Sequence, residues 1–320
     1  MKTQEIYEKV NQVILDELAQ GVVPWERPWG ADGQFAHNGY SRKNYTGCNF
    51  FTMNFLAQKY GAVDFYTFNQ IQELGGHIRK GERGHLVTFY KVVSYRDPSA
   101  PSITEDGEIE NIKTIPMLRY YVVWNRNQVE GLPEAKNIET KEINPIEAAE
   151  KIVACYPGAP RIIEDHPQAY YSPSGDYVNM PKRNTFKSAE GWYSTLFHEL
   201  THSTGHKSRL DRFDGAGKFG SESYGREELV AELGACYLRS VAGIERNYET
   251  KQSASYIAGW SKAIKDDPQM FFKAASAAQK AADYILNGKQ PEIKTAPILA
   301  AKKVVKAPEV IAAPVQLELF

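Results

Sequence analysis

Cysteine is scarce in this chain of 320 residues, where Cys48, Cys155 and Cys236 stand far apart without metal-type spacing. An odd, scattered set excludes a disulfide frame and a cysteine-rich zinc module, and reads as buried thiols in a reducing cytosol. Net charge is nearly absent too. With 38 Lys+Arg against 39 Asp+Glu the formal charge is −1, so no global field points to nucleic acid or membrane; a local patch would have to serve. No uninterrupted apolar run is long enough to cross a bilayer, so no membrane partner is expected. The stretch Met1 to Glu8 has no apolar core of the kind a secretory signal needs, and a cytoplasmic protein is expected. What the chain does have is 42% hydrophobic residues, enough for a core in each of the roughly two domains that this length suggests.

The most chemical stretch is Tyr193 to His206, which contains His198-Glu-Leu-Thr-His202 after the apolar Leu196 and Phe197. Residues four apart share one face of a helix about a turn apart, so two imidazoles there can grip one metal ion. Glu199 then sits beside the metal without ligating it, where it can take a proton from a water held there. The plain alternative is an amphipathic helix that happens to carry two histidines. Local signals favour the metal: Ser188 is placed to cap the helix, Glu190 falls in its first turn and Gly205 supplies a stop.

A zinc peptidase usually takes a third protein ligand and leaves the fourth position open. His206 continues the four-residue spacing, but it lies eight residues from His198, about 12 Å along an ideal helix. It therefore reads as an orienting or substrate-facing group. A metzincin would put its third histidine at position 208, which is Ser208. The remaining source is the helix expected over Tyr224 to Leu238, where Glu228 and Glu232 share a face. Two close carboxylates repel unless a cation or partner lies between them. One can bind the metal while the other holds a histidine by its free ring nitrogen. The order along the chain resembles gluzincins, which implies Glu228 as ligand and Glu232 as the orienting group; the reverse assignment stays open. Zn²⁺ is the expected ion, with Mn²⁺ as another divalent choice. His206, Tyr193 and Tyr224 are candidates for stabilising an oxyanion. Before this helix, Tyr170 to Met180 reads as a hairpin whose second strand, Tyr177 to Met180, would form an edge that an extended peptide could join.

In the N-terminal third, apolar Ile6, Val10, Val13, Ile14 and Leu18 predict a helix over 5–20. A turn-rich stretch with Trp25 and Trp29 follows, then Tyr40 to Asn49 with Arg42, Lys43 and Tyr45, then helices over 50–59 and 67–74. Arg79-Lys-Gly-Glu-Arg-Gly84 is a glycine-punctuated basic turn, followed by strands over 86–93 and 118–124 and by Asn125 and Gln128. Arg79, Lys80 and Arg83 can neutralise phosphates, and nearby aromatic rings offer stacking faces. The acidic, proline-bearing 97–113 reads as a mobile insertion between the strands.

Residues 5–132 resemble the N-terminal domain of ArdC-type antirestriction proteins, which also occurs in TraC-type plasmid primases. The resemblance rests on Pro24-Trp25, Pro28-Trp29, Tyr45-Thr-Gly-Cys-Asn49, Thr67 to Gln70, Arg79 to Gly84, Asn125 and Gln128 to Leu132. It implies a domain that binds single-stranded DNA. Trp25, Trp29, Arg42, Lys43, Tyr45, Asn49, Arg79, Lys80, Arg83, Asn125 and Gln128 are the candidate contacts, chosen for their chemistry and not carried over one by one from the family. Residues 170–245 resemble the zincin-like domain of the same family through Asp176, Met180-Pro181, His198 to His206, Arg209-Leu210 and Tyr224 to Glu232. The expected fold class is therefore α+β. A mixed α/β DNA-binding domain (1–133) leads through a linker (134–144) to a gluzincin-type metallopeptidase domain (145–288) and a disordered tail (289–320) rich in Lys, Ala and Pro.

The chain ends Val315-Gln-Leu-Glu-Leu-Phe320, similar to the peptide by which bacterial replication proteins dock on the sliding clamp, with Gln316, Leu317, Leu319 and Phe320 as the contacts. Two functions are open at this point. One is an antirestriction protein that binds single-stranded DNA and cleaves a protein or peptide substrate, protecting incoming plasmid or phage DNA. The other is a non-proteolytic replication accessory protein that docks on the clamp and has a structural or inactive metal site. No primase-type catalytic carboxylate motif follows the first domain, which counts against DNA synthesis by this chain.

Overall fold

A computed structural model of the chain describes residues 1–25, 34–96, 112–134, 144–213, 222–244 and 254–287. Trp29, most of the 97–113 insertion, most of the 134–144 linker and the tail with Gln316, Leu317, Leu319 and Phe320 lie outside the described residues. The architecture is α+β in two domains. Among the described residues, no helix is long and apolar enough to cross a membrane.

The N-terminal domain opens with α1 (Thr3–Ala19), whose Ile6, Val10, Ile14 and Leu18 form one buried stripe. Next come β1 (His37–Asn38), α2 (Cys48–Tyr60), β2 (Asp64–Thr67), α3 (Phe68–Glu73) and β3 (His77–Ile78). The long antiparallel pair β4 (His85–Arg96) and β5 (Ile112–Asn125) follows, then β6 (Val129–Glu130). One sheet runs in the order β1-β2-β5-β4, and a second pairs β3 with β6. The turn after β1 is held by charge. Asp64, only 6% exposed, lies 3.0 Å from His37 Nε2 and accepts from Arg42 Nη1 at 2.6 Å. Burial alone would raise the Asp64 carboxyl, but the hydrogen bond and charge of His37 and the charge of Arg42 hold it below its ordinary value. A depressed carboxyl stabilises the fold above its unfolded value, and that contribution is lost as pH falls through the folded one. Asp64→Asn should therefore lower the melting temperature at pH 7, and its deficit should shrink below about pH 4. A deficit independent of pH would show that the Asp64 charge contributes nothing.

The C-terminal domain begins with α4 (Pro145–Cys155), capped by Asn144, and a small sheet of β7 (Arg161–Ile163), β8 (Tyr170–Ser172) and β9 (Tyr177–Asn179). Its order is β7-β9-β8. The sequence expectation of an edge at Tyr177 to Met180 is thereby corrected. β9 pairs with β7 on one side and β8 on the other, so both of its hydrogen-bonding edges are used. Helices α5 (Ala189–Ser203), α6 (Glu222–Ala242), α7 (Ala254–Asp266) and α8 (Met270–Ile285) complete the domain. α7 and α8 are separate helices, because Pro268 has no N–H to give and its ring crowds the preceding turn. The Pro268 carbonyl accepts from Asn11 Nδ2 of α1 at 2.7 Å.

The two domains do not keep their main cores apart. The largest buried cluster runs from Ile6, Val10, Ile14, Trp25 and Phe50 into Leu233, Cys236, Tyr237, Trp260 and Phe271. Phe50 packs on Tyr237 with ring centroids 4.2 Å apart, and Tyr7 meets Phe272 edge-on at 4.7 Å. Cys236 Sγ donates to the Trp25 carbonyl at 2.7 Å. Cys48 and Cys236 are buried, and burial pushes the Cys48 thiol up to about 11. Cys155, at the end of α4, is exposed, which corrects its expected burial.

Candidate metal centre

α5 begins where Ser188 Oγ accepts from the Gly191 N–H at 3.1 Å, and it buries Trp192, Leu196, Phe197 and Leu200 against the core. That anchoring face leaves His198 and His202 on the side turned to α6. The two helices approach closely because α6 carries Gly234 where it crosses Thr201. A Cβ at Gly234 would lie 2.8 Å from Thr201 Oγ1 and nearer still to Cγ2. Thr201 is fully buried and its hydroxyl is tied to the Phe197 carbonyl at 2.7 Å, so it has little freedom to yield. Gly234→Ala should cost about 1–3 kcal/mol through overpacking, read as a lower melting temperature. Thr201→Ser in the same chain should restore part of it, since removing Cγ2 relieves the nearest contact.

The three candidate ligands meet. One donor atom from each of His198, His202 and Glu228 lies within 4.8 Å of the others. The two Nε2 atoms are 3.1 Å apart, and the Glu228 oxygens lie 3.6 Å from His198 Nε2 and 3.5 Å from His202 Nε2. Two imidazoles and a carboxylate converging through lone-pair atoms suit Zn²⁺ and equally accept Mn²⁺. Glu232 faces the other side of His198, with Oε1 3.6 Å from Nδ1. Glu199, adjacent to the first histidine, is 8% exposed, and its charge acts on His202.

Sequence reasoning missed Glu227. Its Oε1 lies 3.3 Å from His202 Nδ1, so His202 as well as His198 has a carboxylate beside its outer nitrogen. Glu227 has no spacing signal of its own beside the pair Glu228 and Glu232, and only the packing of α6 on α5 turns it towards His202. The cluster is strongly coupled. Burial alone would lower His202, but Glu227, Glu228 and Glu199 push it up to about 10. Burial would raise Glu228 and Glu227, yet their histidine and arginine partners hold both below the ordinary carboxylate range. A metal entering here displaces a proton, so its binding weakens as pH falls.

The other expected site residues are placed differently. His206 lies beyond the end of α5, on a turn where its Nδ1 is 2.7 Å from Ser208 Oγ; it is not part of the three-ligand group. The helix stops at Ser203, and Gly205 is required instead by the Phe213 ring, which a Cβ would meet at 2.7 Å. Tyr193 is buried with its hydroxyl on Glu150, which removes it from oxyanion duty. The Tyr224 side chain lies outside the described residues.

Four of the candidate DNA contacts are corrected by burial. Trp25 and Asn125 are 0% exposed, Gln128 0% and Tyr45 5%, so none presents a face to a ligand. Gln128 instead holds the basic turn: its carbonyl accepts from the Arg79 N–H at 3.0 Å, and its carboxamide donates to Glu82 at 2.8 Å and to the Arg83 carbonyl at 3.0 Å. Asn125 caps the following turn through Asn127 N–H at 3.0 Å. Asn49 is half-buried and ties α2 to β4 through both Thr88 backbone groups. Arg42 is taken up by Asp64. Lys43, Arg79, Lys80 and Arg83 are exposed.

Both halves of the chain match known protein families. A family described as zincin-like metallopeptidase matches residues 147–277, and one described as the N-terminal domain of anti-restriction factor ArdC matches residues 4–124. The chain is 33% identical over 299 residues to DNA primase TraC of Escherichia coli, an alignment covering 90% of this chain and 28% of that protein. It thus spans little more than a quarter of that relative's length. It is 35% identical over 287 residues to the uncharacterized protein y4eC of Sinorhizobium fredii (strain NBRC 101917 / NGR234), covering 88% of this chain and 91% of the relative. Among solved structures it is similar to the antirestriction ArdC protein from the R388 plasmid. The metal-free form gives 36% identity and a TM-score of 0.69, over 88% of this chain and 97% of that one. The Mn(II)-bound form gives a TM-score of 0.68 over the same shares.

Proposed function

The chain belongs to the ArdC antirestriction family, and on that premise we propose that it binds single-stranded DNA and is a metal-dependent peptidase. In this reading it protects incoming plasmid or phage DNA from host restriction by cleaving a protein substrate. The observation that carries the peptidase half is the convergence of His198, His202 and Glu228 with Glu199 buried alongside.

His198 and His202 would hold the ion through Nε2 and Glu228 through its carboxylate. When bound, a divalent ion supplies Lewis acidity to a water and to a peptide carbonyl. Glu199 supplies what the ligands cannot, a carboxylate not needed for ligation that accepts the proton of the attacking water and delivers it to the leaving amine. An extended substrate would pair with β8, the strand of the small sheet that packs beside α5 and forms its edge. The DNA half is supported by the exposed Lys43, Arg79, Lys80 and Arg83, with Gln128 fixing the shape of their turn.

Glu199→Gln tests the reading. It should keep metal affinity and lose hydrolysis by about 10²–10⁴-fold, measured on casein with single-stranded DNA present. Equal cleavage by variant and parent would end the peptidase proposal, and the inactive variant also serves as a trap for the natural substrate. The accessory-protein alternative gives no reason for a buried, unligated Glu199 beside three converging donors.

A further inference from the structure

We infer that Arg212 and Glu227 form a clasp that orients the imidazole of His202 for the metal; this rests on the metal-centre reading above. The first observation is the fork: Arg212 Nε donates to Glu227 Oε2 at 2.8 Å and Nη2 to Oε1 at 2.6 Å. A planar two-point pair fixes the carboxylate in rotation as well as position, which a lysine could not do. Both side chains are largely buried, 15% and 18% exposed.

The second observation is what holds Arg212. Its remaining donors reach back to the end of α5, Nη1 to Thr204 Oγ1 at 2.9 Å and Nη2 to the Thr201 carbonyl at 3.1 Å. Its own N–H donates to the Gly205 carbonyl at 2.9 Å, and the next ring, Phe213, sits against Gly205. The loop after α5 is therefore folded onto the helix it leaves, carrying the guanidinium to a fixed point between α5 and α6.

The third observation closes the circuit. Glu227 Oε1, the oxygen that accepts from Nη2, is also the one 3.3 Å from His202 Nδ1. A carboxylate held there accepts the Nδ1 proton, leaving the Nε2 lone pair towards Glu228 and His198. Glu227 is thus a positioning residue for His202, as Glu232 is placed to be for His198, and Arg212 positions Glu227. The same contacts tie α5 to α6, so a purely structural role has to be separated from a positioning one.

Metal binding of the full chain makes that separation. Affinities for Zn²⁺ and Mn²⁺ alone are measured by competition with a chromophoric chelator, beside the visible spectrum of the Co²⁺-loaded protein and the melting temperature without metal. Glu227→Gln should weaken binding by about 10–100-fold and shift the Co²⁺ bands. Arg212→Lys should do the same to a smaller degree, and Glu227→Asp should recover part of the loss. If both Glu227→Gln and Arg212→Lys lower the melting temperature yet leave affinity and Co²⁺ bands unchanged, the pair is only a helix tie and the inference is wrong. Should Glu227→Gln fail to fold, Arg212→Lys decides by the same readouts. Glu228→Ala is the control: loss of metal there with none in the clasp variants overturns the clasp alone, whereas retention there overturns the metal centre itself.

Discussion

Replacing Glu228 with alanine should abolish stoichiometric Zn²⁺ or Mn²⁺ binding, whereas Glu232→Gln should weaken it by about 10–100-fold. The difference follows from which nitrogens each carboxylate faces. Glu228 lies within 3.6 Å of both Nε2 atoms, in the centre of the cluster, while Glu232 approaches only the outer Nδ1 of His198. Removing a ligand subtracts a bond to the ion; removing an orienting group only loosens an imidazole. Removing Glu228 also leaves His198 and His202 facing each other at 3.1 Å with nothing negative between them. Isothermal titration of both variants is the check. Equal losses, or a larger loss at Glu232, would reverse the two roles.

Trp25→Ala should destabilise the protein by about 3–5 kcal/mol, the range for emptying a buried aromatic site. Trp25 is fully buried and meets Trp260 edge-on at 5.3 Å and Phe271 at 6.2 Å, so the cavity opens between the two domains. Leaving Trp25 as Phe should lose less, because most of the apolar contact remains. At temperatures where the variants are folded, affinity for single-stranded DNA should be unchanged. A strong loss of DNA affinity at unchanged stability would restore Trp25 as a stacking residue. The alternative cationic set predicts the opposite pattern, with Lys80 and Arg83 affecting DNA affinity and its salt dependence but not stability.

Trp25 also shows where sequence reading fails. A tryptophan in a Pro-Trp turn near basic residues has the composition of a stacking platform, yet composition carries no information on burial. Gln128 failed likewise, since a carboxamide able to bind a base is equally able to brace a turn. Pattern succeeded where the physics is local. The stripe from Ile6 to Leu18 and the Ser188 cap depend on neighbours within a turn or two, and both are readable without a fold. The edge assigned to Tyr177 to Met180 was not of this kind, because strand order depends on pairing between segments far apart in the chain.

The sequence by itself determined that His198 and His202 share a helix face with Glu199 between them, because four residues make about one helical turn whatever surrounds it. It also determined the family and the order of the two domains. Only the tertiary structure decided which carboxylates reach those histidines. Spacing alone puts Glu228 and Glu232 on one face and leaves Glu227 unmarked, whereas across the close crossing at Gly234 and Thr201 the three face different nitrogens. The joining of both domains through one core around Trp25 was decided there as well. Contacts of this kind join residues separated by scores of positions, and no local periodicity encodes them.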